Sequence, residues 1–177
     1  MTRVRGMAVI ATATLLAVAA PALAKKPAIV DETAVRGIIQ QVYSGYARNE
    51  PDSPETASEK FQPPYSVALD ALIKKWMPLG TAEEVIQMNS FDWYCQCQDH
   101  DPRRAKVVTQ KYDARTANTI EAMIEFAPMG GKGRLLTFLF IRENGQWVMD
   151  DLRFAEGNTL REGLQEDVNG AALTNAT

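Results

Sequence analysis

Residues 134–154 read RLLTFLFIRENGQWVMDDLRF, and this stretch decides the fold. Asn144-Gly145 is the strongest short hairpin signal, because the tightest hairpin turns need positive φ at both central positions. It divides two runs of strand composition, Arg134 to Glu143 and Gln146 to Phe154. Leu135 to Ile141 is apolar on both faces, which places it at the centre of a sheet with cover on each side. Upstream, Gly130-Gly131-Lys132-Gly133 supplies the preceding turn. Before it, Asn118 to Phe126 alternates Ile120, Ala122, Ile124 and Phe126 with Thr119, Glu121, Met123 and Glu125, giving one buried face and one polar face. Ala105 to Tyr112 makes a first strand, so the expectation is a four-stranded antiparallel meander.

The N-terminal half has helical rhythm instead. Val35, Ile38, Ile39, Val42, Tyr43 and Tyr46 recur at i, i+3, i+4 spacing behind Asp31, which can cap the helix. Pro63-Pro64 predicts a second helix from about Tyr65, with Leu69, Leu72, Ile73 and Trp76 on one face and Pro78-Leu79-Gly80 at its end. A polar linker joins the two. A short helix near Leu160 to Leu164 is expected to close the domain. Helices first and an antiparallel meander afterwards read as an α+β domain over residues 31–165, with a polar lead at 25–30 and a flexible tail at 166–177.

Residues 1–24 read as a cleavable secretory signal. Arg3 and Arg5 precede the 14 uncharged residues Met7 to Ala20, then Pro21 and the small-residue site Ala22-Leu23-Ala24. That core is shorter than the roughly 20 residues of a spanning helix. Lys25 follows the cleavage site in place of a lipid-accepting Cys. The expected location is therefore the periplasm, with no stable membrane anchor. Cleavage leaves 17 basic and 22 acidic residues, net charge −5, which argues against a nucleic-acid partner.

Cys95 and Cys97 are the only cysteines. Export favours a disulfide, yet alternate residues of a regular strand lie ~6.5 Å apart, near the limit for closure. Pairing therefore requires a local bend. Such a bond closes a tiny loop and stabilises little.

The two helices, the Pro63-Pro64-Tyr65-Ser66 helix start, the Phe91-Asp92-Trp93 segment running into Gln98-Asp99, and the meander ending Gly145-Gln146-Trp147-Val148-Met149-Asp150-Asp151-Leu152 together resemble the bacterial envelope proteins of the domain of unknown function 3828 family. The resemblance covers about Asp31 to Leu164. It implies the nuclear-transport-factor-two-like fold, a curved, cone-like sheet wrapped around helices, and an envelope location. It implies no activity.

Chemistry-bearing residues concentrate between Asp92 and Asp101. Asp92 or Asp99, paired with Asp150 or Asp151 in the mouth of a cone, would be candidate acid/base carboxylates. Strand alternation places Asp150 on the face of Val148, Leu152 and Phe154. Hydrogen-bonded structural roles are the simpler account of these carboxylates. His100, the sole histidine, is a further candidate base in an exposed turn. Cys95, Cys97 and His100 offer soft-metal donors, but no second Cys or His segment completes a site, so no metal and no cofactor is expected. Trp93, Tyr65 and Trp147 are candidate ligand-binding side chains.

These readings favour a non-catalytic exported module that binds a small ligand or an envelope protein. The alternatives are a cone-fold isomerase, dehydratase or hydrolase, and a thiol-redox or metal protein acting through Cys95 and Cys97. The two-sided apolar strand suggests a homodimer through the sheet face.

Overall fold

A computed structural model describes residues 29–46, 62–81, 88 and 90–174. The secretory signal expected at 1–24, the polar lead 25–30 for the most part, and most of the linker between the first helices lie outside the described residues. The elements run α1 (Ile29–Ser44), α2 (Val67–Trp76), a 3₁₀ turn (Met77–Thr81), β1 (Lys106–Thr116), β2 (Thr119–Ala127), β3 (Arg134–Glu143), β4 (Gln146–Arg153) and α3 (Leu160–Thr174). The four strands form one antiparallel sheet in the order β1-β2-β3-β4. This is the α+β meander expected from the sequence.

Asn144 and Gly145 both adopt positive φ, 50° and 80°, as the β3–β4 hairpin requires. The core face of the sheet is built from Ile120, Ala122, Ile124 and Phe126 of β2 opposite Phe140, Phe138, Leu136 and Arg134 of β3. Against it pack Val35, Ile39, Val42 and Tyr43 of α1, Leu69 and Ile73 of α2, and Leu160 and Leu164 of α3. β3 is central, and its second face is only half covered, with Leu135 50% exposed.

β4 departs from simple alternation. Met149 pairs with Phe140 and Asp151 with Leu139, which leaves Asp150 as an extra residue in a bulge. Directly opposed residues share a face, so Val148 lies with Ile141 on the outer face while Leu152 lies with Phe138 in the core. The expected common face of Val148, Asp150 and Leu152 is thus corrected, because one inserted residue reverses the parity of everything beyond it.

The segment before α2 extends the sheet. Ser66 N–H donates to the Met149 carbonyl at 2.8 Å and Met149 N–H donates to the Pro64 carbonyl at 2.7 Å, so Tyr65 bridges β4 in parallel. Ser66 then caps α2, its Oγ accepting from Leu69 N–H at 3.1 Å, and the helix begins at Val67, two residues after the start expected at about Tyr65. Asp31, expected as a cap, lies inside α1. The last helix is longer than Leu160 to Leu164 and runs to Thr174, so most of the tail expected to be flexible is helical. Leu160, Leu164 and Val168 recur at i+4 and reach the core, and Asp167 accepts a 2.9 Å hydrogen bond from Trp76 Nε1.

Candidate functional site

The segment 91–97 folds back on itself beside the core. Asp92 N–H donates to the Cys97 carbonyl at 2.9 Å, and the four residues between them make a tight turn. Gln96 adopts φ 49°, a left-handed conformation that few non-glycine residues take. This bend brings the Cα atoms of Cys95 and Cys97 to 5.1 Å, and the two are joined by a disulfide. The local bend required by the spacing is therefore present.

Gln96 is held from three sides. Its Nε2 donates to Glu156 Oε2 at 2.9 Å, its Oε1 accepts from Ala155 N–H at 3.3 Å, and Arg134 Nη1 donates to its carbonyl. These bonds hold the turn against the end of β4 and the start of β3.

On the core side, tyrosines clamp the same turn. Tyr43 Oη donates to the Tyr94 carbonyl at 2.9 Å, and Tyr46 Oη donates to Asp92 Oδ2 at 2.7 Å. Asp92 Oδ1 accepts from Tyr94 N–H at 2.8 Å, and the hydroxyls of Tyr65 and Tyr94 share a hydrogen bond at 2.5 Å. Burial holds all four phenols above their ordinary range, and the negative charge of Asp92 pushes each further the same way. The Tyr65–Tyr94 bond lowers the first of that pair and raises the second.

The stability consequence follows from proton linkage. A native state that binds phenolic protons more tightly than the unfolded chain keeps that contribution below the unfolded value near 10 and loses it as pH rises beyond. Spectrophotometric titration should show these phenols ionising together with the loss of near-ultraviolet circular dichroism above pH ~10. Stepwise ionisation of a still-folded protein would contradict the clamp.

The outward side of the turn borders an open groove of about 870 Å³. Phe91, Cys97, Asp99, Met129, Arg134 and Glu156 are among its lining residues, with Pro128 and Phe154 adding apolar surface. Met129 is 50% exposed. The hydrogen bond from Gln96 holds the Glu156 carboxyl below its ordinary value, and Arg134 lowers it further. A second open depression of about 550 Å³ lies between α2 and α3, lined by Leu72, Lys75, Arg161 and Glu166 among others.

The candidate carboxylates are placed apart. Asp92 belongs to the tyrosine clamp and Asp99 to the exposed groove wall. Asp150 is held at the starts of two helices, accepting from Ser66 Oγ at 2.6 Å and Arg161 Nη1 at 3.0 Å. Asp151 accepts from Leu152 and Arg161 N–H groups. Asp92 and Asp150 thus take part in separate hydrogen-bond networks, Asp150 from its place in the bulge. His100 is exposed and packs edge-on against Tyr46 at 5.2 Å. Among the described residues no cluster of three metal-binding side chains occurs, and no helix is long and apolar enough to cross a membrane.

Of the expected ligand-binding side chains, Trp93 packs against Trp76 at 5.5 Å and donates to the Met88 carbonyl. Tyr65 is in the clamp, and Trp147 is buried beneath Arg142. The groove is formed by others, of which Met129, Arg134 and Glu156 carry no signal in the sequence because they meet only in the fold. The sequence shows Tyr43 and Tyr46 only as part of one helix face.

No protein-family model matches this chain, and no curated protein or solved structure matches it significantly.

Proposed function

We infer that this chain is a binding module of the extracytoplasmic space that accepts an extended peptide segment of a partner protein in the groove beside the Cys95–Cys97 turn. The observation that carries this reading is the groove itself. A preorganised turn forms one wall, apolar surface comes from Phe91, Pro128, Met129 and Phe154, and charges of both signs come from Asp99, Arg134 and Glu156. An open, mixed surface of this kind suits a chain segment, whose side chains can meet its apolar part and whose backbone can meet its polar groups. Exposed Met129 is an adaptable contact.

Two further points support the same reading. The core face that would form a ligand cavity in a cone-like, nuclear-transport-factor-two-like domain is occupied by Phe126, Phe138 and Phe140, each at most 1% exposed, with Tyr43 and Tyr94 against them. The candidate acid/base residues are dispersed among separate networks, whereas acid–base work needs them within reach of one substrate. We place the module in the periplasm on the character of residues 1–24.

Peptides selected on the full mature chain from a random displayed library test the assignment. Bound peptide should shift the amides of Phe91, Cys97, Met129 and Glu156 in nuclear magnetic resonance spectra, and Met129→Asp should weaken binding by about tenfold or more. Shifts confined to Leu72, Lys75 and Arg161 would move the site to the depression between α2 and α3 and reject this reading.

A further inference from the structure

The two sulfurs of the disulfide have unequal access. Cys95 is 1% exposed and belongs to the core, whereas Cys97 is half-buried and lines the groove. Anything that enters the groove meets Cys97 and not Cys95.

The turn is also held by bonds that do not involve the disulfide. The disulfide spans a single intervening residue, so it restricts the unfolded chain far less than a bond closing a long loop. The turn is independently held by Asp92 N–H on Cys97, by Tyr94 N–H on Asp92, and by the three bonds to Gln96. Cys95 Sγ lies 3.8 Å from the Asp92 carbonyl and 3.7 Å from that of Cys97. A reduced Cys95 thiol would have two acceptors already in place, so its burial needs no rearrangement.

We propose that Cys97 is the reactive sulfur of a thiol–disulfide exchange site whose substrate is a cysteine-bearing peptide segment seated in the groove; this rests on the groove-binding reading above. A partner thiolate attacks Cys97 Sγ, the Cys95–Cys97 bond breaks, and Cys95 departs as a thiolate that takes a proton from solvent. The mixed disulfide then has two fates. Cys95 can give up that proton and attack Cys97 Sγ as a thiolate, restoring the internal bond and releasing the partner as the thiolate that entered. A second thiol on the partner can instead attack the partner's own sulfur, freeing Cys97 as a thiolate that is then protonated. In the second case two electrons and two protons pass from the partner's dithiol to the Cys95/Cys97 pair. The partner leaves oxidised. Arg134, whose Nη1 donates to the carbonyl of Gln96 next to Cys97, adds a positive charge to the same groove wall, alongside the carboxylates of Asp99 and Glu156.

The test uses the full mature chain and two probes, reduced glutathione and a library-selected groove peptide carrying one cysteine. Quenching the wild-type reaction with an alkylating agent and mapping by mass spectrometry should place the adduct on Cys97. The Cys95→Ser variant, challenged with the disulfide forms of the same probes, should accumulate the adduct at least about tenfold faster than Cys97→Ser, whose remaining thiol is buried. Circular dichroism establishes that each variant is folded. The wild-type readout needs neither variant. Adducts on Cys95, on both sulfurs equally, or on neither overturn the proposal. The same peptide with serine in place of its cysteine separates the two readings: groove amides that shift without any adduct leave the binding module standing and reject exchange. If they do not shift either, both are rejected.

Discussion

Phe138→Ala should lower the unfolding free energy by about 3–5 kcal/mol, a large share of the roughly 5–15 kcal/mol that holds a domain of this size. Phe138 is fully buried at the middle of the central strand, opposite Ala122 on β2 and Leu152 on β4. Its ring centroid lies 6.2 Å from Tyr43, 6.1 Å from Tyr94 and 6.2 Å from Phe140. Truncation removes apolar burial and leaves a void that these rings, tied down by their own hydroxyl bonds or strand, cannot collapse to fill. Urea denaturation monitored by tryptophan fluorescence measures it. A loss below about 1.5 kcal/mol would mean that the core around Tyr43 and Tyr94 can repack. Phe138→Leu, which retains most of the volume, should cost substantially less.

The second large effect belongs to Asp92. Asp92→Ala should destabilise the protein by about 2–4 kcal/mol, because two groups lose the charged acceptor that satisfies them. Tyr46 is 8% exposed and donates to Oδ2, while the Tyr94 N–H donates to Oδ1. Both would be left polar and unpaired at the edge of the core. Asp92→Asn keeps one acceptor oxygen and should cost about half as much. Hydrogen exchange gives an independent readout. The amide of Tyr94 should lose protection in the alanine variant before the amides of β2 and β3 do, since the clamp and not the sheet is what has been cut. Uniform loss across the sheet would show that the turn and the core unfold as one unit.

The two variants probe different kinds of information. Phe138 is legible as core from the amino-acid pattern alone, since Leu135 to Ile141 is apolar on both faces and Asn144-Gly145 forces the chain back alongside it. Asp92 is legible only as a carboxylate in a dense polar stretch. Its partner Tyr46 stands 46 positions away on a helix read for its hydrophobic rhythm. No local pattern joins them.

Local chemistry therefore determined the elements and their order: two helices, a β3–β4 hairpin at Asn144-Gly145, a meander with β3 inside it, and a bend demanded by Cys95 and Cys97. These depend on periodicity, turn residues and covalent reach, which are properties of neighbouring residues. The tertiary structure alone decided the bulge at Asp150, the continuation of α3 to Thr174, the tyrosine clamp on Asp92, and the groove that Met129, Arg134 and Glu156 share with Cys97. Each of those arises where segments distant in sequence meet. Packing and hydrogen bonding between such segments can override strand alternation by a single residue, and a one-residue change is enough to send every later side chain to the other face.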